Sequence, residues 1–117
     1  MQKDKTVFDK DEALKMLDDD VEFLTELAEI FIDDTPEHMS EIKEAVTSGS
    51  SKALVKTANK LKGAIANFGK NTTIDTAFKL ETMGKENNLD GAEEVYDTLV
   101  KDVENLMNAL KEFVKSE

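Results

Sequence analysis

SKALVKTANKLKGAIANFG, running from Ser51 to Gly69, decides how this chain is read. Placed on a helical wheel at about 100° per residue, Leu54, Ala58, Leu61, Ile65 and Phe68 fall on one tight apolar stripe. Lys56, Asn59, Lys60 and Gly63 fall on the opposite face, with Val55, Lys62 and Ala66 on the shoulder beside Asn59. The spacing predicts an amphipathic helix that buries one face and shows solvent a glycine, an amide and several ammonium groups. Gly69 is its expected stop. A glycine inside a helix costs roughly 1 kcal/mol relative to alanine. Gly63, in mid-helix and on the outer face, therefore asks for a reason, and close approach of another backbone supplies one.

The same helical signature recurs on both sides. Asp9 with Glu12 forms a capping-box pattern opening a short helix through about Leu17. Asp18-Asp19-Asp20 caps the next, with Glu22 in its first turn and Phe23, Leu24, Leu27, Ile30 and Phe31 at intervals of three and four. Thr35-Pro36 predicts a new start, threonine as cap and proline at the first helical position, carrying Met39, Ile42 and Val46 to the stop at Ser48-Gly49-Ser50. The helices before and after Pro36 are coaxial if the proline only kinks them. Beyond Gly69, a helix opens near Thr72-Thr73, carries Ile74, Ala77, Phe78 and Leu80, and fades from Gly84 to Asn88. Asp90 with Glu93 predicts the last and longest, striped by Val95, Leu99, Val103, Leu106, Leu110 and Phe113 or Val114. Strand signals are nearly absent. The expected fold is all-α: an antiparallel up-down four-helix bundle with one or two short additional N-terminal helices, the first capping an end.

Composition narrows the chemistry. A chain of 117 residues holds one domain, spanning 1–117, with enough core to fold without staples. It has no cysteine, which removes disulfides and thiolate sites, and no arginine, which removes a bidentate phosphate clamp. Its net charge of −11 argues against nucleic acid and anionic membrane as partners. Met1-Gln2-Lys3-Asp4-Lys5 is charged and followed by no apolar run, so no signal peptide or membrane insertion is expected, and a cytoplasmic location follows by default. Yet residues 45–74 contain no Asp or Glu while holding Lys52, Lys56, Lys60, Lys62 and Lys70. This is either a solvated lysine face or a docking surface for an acidic partner.

Other candidate sites are weak. His38, the only histidine, follows Pro36 without catalytic context and is expected to be an ordinary surface residue. One histidine does not supply the paired Glu-x-x-His motifs of a di-iron bundle. Asp18 to Asp20 lacks the alternating ligands and glycine of a calcium loop. The methionines, among them Met16, Met39, Met83 and Met107, are expected to fill the core. Neither metal nor cofactor is expected, and a metal-dependent helical enzyme finds no ligands.

Ala58-Asn59-Lys60-Leu61-Lys62-Gly63 with Gly69 resembles the phosphoacceptor motif A-H-x-L-K-G-x-x-x-x-x-G of histidine phosphotransfer (HPt) domains. Asn59 stands at the position of the acceptor histidine. The likeness extends through Phe23-Leu24, Leu27, Phe31 and Pro36 upstream and Ala77, Leu80-Glu81 and Gly84 downstream, about Phe8 to Val114. It implies a four-helix bundle with an exposed acceptor helix, acting in two-component phosphorelays as a phosphotransfer intermediate rather than a true enzyme. It implies a monomer whose partners are response-regulator receiver domains, hybrid sensor histidine kinases, or both. Val55, Lys56, Lys60, Lys62, Gly63 and Ala66 are then the expected partner- or phosphate-binding residues. Imidazole keeps an in-plane nitrogen lone pair for attack on phosphorus, whereas the lone pair of an asparagine amide is delocalised into its carbonyl. Asn59 is thus expected to preserve fold and docking while abolishing acceptance. A natural pseudo-phosphotransfer domain and a His-to-Asn variant both produce this sequence. The alternative is a helical-bundle inhibitor or scaffold that never relayed.

Overall fold

The computed structural model describes residues 7–69 and 71–116. Five α-helices account for most of them: α1 (Lys10–Met16), α2 (Val21–Ser48), α3 (Ser51–Ile65), α4 (Thr72–Lys85) and α5 (Ala92–Ser116), with a 3-10 turn at Ala66–Phe68 after α3. Helices α2 to α5 form the bundle. Each packs on two neighbours, in the cyclic order α2, α3, α4, α5 and back to α2. Helix α1 lies across one end, against α2 and the 3-10 turn. None of the described helices is long and apolar enough to cross a membrane.

Local chemistry sets the boundaries. The carboxylates of Asp9 and Asp20 accept from the backbone N–H groups of Glu12 and Phe23, and the hydroxyl of Ser50 accepts from Ala53 N–H. Asn71 caps α4 by accepting from Ile74 N–H, one residue ahead of the threonines expected to open it. Helix α5 begins at Ala92, after Gly91 at φ +82°, one residue later than a cap at Asp90 would set.

The break expected at Thr35-Pro36 does not occur. Helix α2 is continuous through Pro36 for 28 residues. Proline removes the N–H that would reach Ile32. Packing holds the helix together across this gap: Phe31, Thr35 and Ile42 are buried, and the Thr35 hydroxyl donates to the Phe31 carbonyl at 2.5 Å.

The stripe predicted for α3 forms the centre of the core, with Leu54, Ala58, Leu61 and Ile65 fully buried and Phe68 just beyond. Leu24, Ala28, Leu80, Leu99, Leu106 and Leu110 face it from the other helices. Four large apolar side chains among the described residues are exposed instead: Met16, Phe23, Ile30 and Phe78. Met16 is therefore not core filler, while Met39, Met83 and Met107 do pack against the core. Phe23 and Ile30 lie on the shoulder of the α2 stripe, one position off the buried Leu24 and Phe31, which is why spacing alone placed them inside.

Candidate functional site on the third helix

Helix α3 presents its outer face as the wheel predicts. Lys56, Asn59, Lys60 and Gly63 are exposed, as is Ala66 in the 3-10 turn. A Cβ built on Gly63 would meet nothing within 4 Å. The surface there is open to an incoming chain. Val55, half-buried on the shoulder, is turned toward α4: a Cβ on Gly84 would sit 2.8 Å from Val55 Cγ2 and 2.9 Å from the Ser51 carbonyl oxygen. Gly84 thereby lets α3 and α4 approach closely and sets the position of the helix that faces Asn59. Lys70 lies outside the described residues.

Glu81 organises the site. It belongs to α4, its side chain is 2% exposed, and its two oxygens point at α3. Oε2 accepts from Asn59 Nδ2 at 2.8 Å and Oε1 from Lys62 Nζ at 2.6 Å. Lys85, one turn along α4, adds a longer ion pair at 3.6 Å. Burial pushes the Glu81 carboxyl up, but the hydrogen bonds from Lys62 and Asn59 and the charges of Lys62 and Lys85 outweigh it, holding its pKa below the ordinary 4.5. Glu81 is thus a buried, ionised, fully engaged acceptor at neutral pH.

This rearranges the charge expected at residues 45–74. That segment has no carboxylate of its own, but its neighbours supply them. Lys62 is paired with Glu81, and its ammonium also lies 5.0 Å from the centroid of the Phe78 ring. Lys60 faces Glu41 of α2 at 4.0 Å, across a groove lined also by Glu44, Lys56 and Thr57. Of the four named site lysines and amides on α3, Lys56 alone has no described ion pair or side-chain hydrogen bond. The contact between Glu41 and Lys60 also shows which side of α2 turns toward α3. Ile30 and Phe23 fall on that same side of α2 by helical spacing, farther along it.

Glu81 belongs to the family-like pair Leu80-Glu81, but its sequence context does not mark it as a site residue. The signal was faint: an acidic residue on the buried face of α4, among Ala77, Leu80 and Gly84, where an unpaired charge would not survive. His38 also departs from expectation. It is half-buried, and its Nδ1 is enclosed without a hydrogen-bond partner.

Comparison with known proteins identifies the family. The family model described as "Hpt domain" matches residues 26–112, well over half of the chain. The chain belongs to the Hpt-domain family. This Hpt domain is similar to the phosphorelay intermediate protein rdeA of Dictyostelium discoideum, with 28% identity over 109 residues. The match takes in 93% of this chain but 43% of rdeA, so the Hpt domain spans less than half the length of that relative. Its fold is shared with histidine-containing phosphotransfer protein B (HptB) from Pseudomonas aeruginosa PAO1, at a TM-score of 0.88 and 18% identity over 97% of this chain and 99% of that one.

Proposed function

We propose that this Hpt domain works in phosphorelay signalling by docking receiver domains on the outer face of α3, with Asn59 at the acceptor position and no capacity to take up a phosphoryl group. The observation that carries the reading is the exposure of Asn59 beside the open surface at Gly63. The exposed Phe78, whose ring lies 5.0 Å from the Lys62 ammonium, adds apolar contact area beside that point, and Lys56 and Lys60 supply a cationic edge. A hybrid sensor kinase carrying a receiver would dock in the same way. The family and the relay role of the similar rdeA support this partner class. The site works as a cytoplasmic monomer in this reading.

Incompetence follows from bonding. The Asn59 amide nitrogen is conjugated with its carbonyl and already donates to Glu81. It has no lone pair to direct at phosphorus. The alternative, a scaffold of non-relay ancestry, predicts binding without any latent chemistry. One experiment separates them. The Asn59→His variant is mixed with receiver domains carrying a labelled phosphoryl group, beside the unaltered chain. Label on the variant alone is expected. Binding without label on either chain favours the scaffold.

A further inference from the structure

The outer face of α3 has unlike edges. Toward α2, Lys60 meets Glu41 and shares a groove with Lys56, so that edge carries exposed ammonium groups. Toward α4, Lys62 meets Glu81, and beside it stands Phe78, a large apolar side chain that is 52% exposed. Asn59 and the open surface at Gly63 lie between the two edges on the helical wheel.

An exposed phenylalanine is ordinarily free to turn, and a partner that fixes it must offset the lost rotamer freedom. Phe78 is already held. The Lys62 ammonium lies 5.0 Å from the centroid of its ring, and the same ammonium donates to Glu81 at 2.6 Å. Glu81 is in turn buried on α4. The brace thus starts at a buried carboxylate on α4, crosses to α3 at Lys62, and returns to the surface of α4 at Phe78. One face of the ring is given to the ammonium, and the exposed remainder is presented in a fixed position, which lowers the ordering cost of binding. Lys62 itself is flanked by carboxylate and ring, unlike Lys56 and Lys60, which are exposed. Its charge is the one least free to meet an incoming anion.

We infer that Phe78 is the apolar anchor of the docking face, and that Lys62 acts on binding as a positioning residue, by holding that ring rather than by pairing with the partner. The occupant is a receiver domain whose contact surface sets an apolar recess beside an acidic patch. The recess lies over α4 and the acidic patch over Lys56 and Lys60 on the α2 side. The inference rests on the receiver-docking reading and adds an orientation to it.

The test is calorimetric titration of the chain with a panel of purified receiver domains from the source organism, repeated on four variants. Phe78→Ala should weaken the receiver that binds by roughly tenfold or more, as truncation of an interface anchor does. Lys62→Met, which keeps the length and loses the charge, should weaken it by roughly twofold to fivefold, the size of one cation–π contact. The double variant should bind no worse than Phe78→Ala alone, because Lys62 has no ring left to hold. Met16→Ala, which removes an equally exposed apolar side chain from α1, should change nothing. Thermal unfolding of the Phe78→Ala chain should match the original, since the ring is not part of the core. Binding by Phe78→Ala within twofold of the original overturns the inference and leaves docking standing. So does a double variant whose loss is the product of the two single losses, because Lys62 would then contact the partner directly. An equal loss in Met16→Ala overturns it as well, by showing general apolar adhesion. A self-associated chain that Phe78→Ala turns monomeric in sedimentation, with receiver binding intact, assigns the ring to a second copy and overturns it too. Binding of no receiver by the unaltered chain overturns both the inference and the docking reading.

Discussion

At the scale of single residues, the decisive interaction is Glu81 with its two donors from α3. A buried carboxylate is tolerated only when its acceptor capacity is filled, and here Asn59, Lys62 and Lys85 fill it. Truncating Glu81 to Ala removes that centre. Lys62, with 29% of its side chain exposed, can turn to water, so the cost stays near that of lost hydrogen bonds, about 1–3 kcal/mol by urea denaturation. The pH dependence has a definite sign. The folded carboxyl has a pKa below the ordinary 4.5, so its contribution is complete above that value. As pH falls through the folded pKa, both states become protonated and the contribution disappears. Glu81→Gln, which has nothing to titrate at this position, should show a shallower loss of stability below pH 4.5 than the unaltered chain. Denaturation midpoints at successive steps of acidification would show it, and parallel curves would mean that the carboxyl carries no net stabilisation.

Between helices, two glycines in motif-like positions have opposite roles, and one substitution type separates them. Gly63 faces open space, so a methyl group there relieves the backbone entropy penalty without meeting a neighbour. Gly63→Ala should raise stability by about 0.5–1 kcal/mol. It should also weaken receiver binding, since the methyl group stands where the partner's backbone would approach. Gly84 is the reverse case. Its Cβ would press on Val55 and on the Ser51 carbonyl, part of the backbone of a packed helix that cannot swing aside. Gly84→Ala should cost about 1–3 kcal/mol through forced separation of α3 and α4. Thermal unfolding of both variants, read beside the receiver titration, checks the pair. A stabilised Gly63→Ala chain that binds as well as the original would remove the glycine's docking role. A neutral Gly84→Ala would show that the two helices separate freely.

Across the whole molecule, the legible parts were those governed by helical periodicity. The α3 stripe, the α5 stripe and the caps at Asp9 and Asp20 all follow from spacing and local hydrogen bonding, and the bundle follows from them. What did not follow was long-range. Nothing along the chain says that Glu41 and Glu81 reach across to lysines of an acid-free segment, because pairing of separate helices has no period in sequence. Nor does local propensity show that packing carries α2 straight through Pro36. The same limit hid the aromatic cluster that joins the bundle to the segment leading into α1. Phe68, at the end of the 3-10 turn, meets Phe31 edge-on at 5.4 Å between ring centroids and Phe8 at 6.2 Å, and Phe8 in turn meets Phe113 at 5.9 Å. Gly69 follows at φ +86° and ψ −171°, a conformation that a side chain would resist, and it turns the chain from this cluster toward α4. The four rings together tie four separate segments at the end of the molecule, with Phe68 and Phe8 as the two links. Phe68→Ala should cost about 3–5 kcal/mol, the range for emptying a fully buried aromatic site. Because α1 packs mainly against this turn and α2, its amide protons should lose exchange protection before those of α3 and α5. Hydrogen exchange on the variant, read helix by helix, measures that order. Uniform loss across all helices would show instead that α1 and the bundle unfold as one unit.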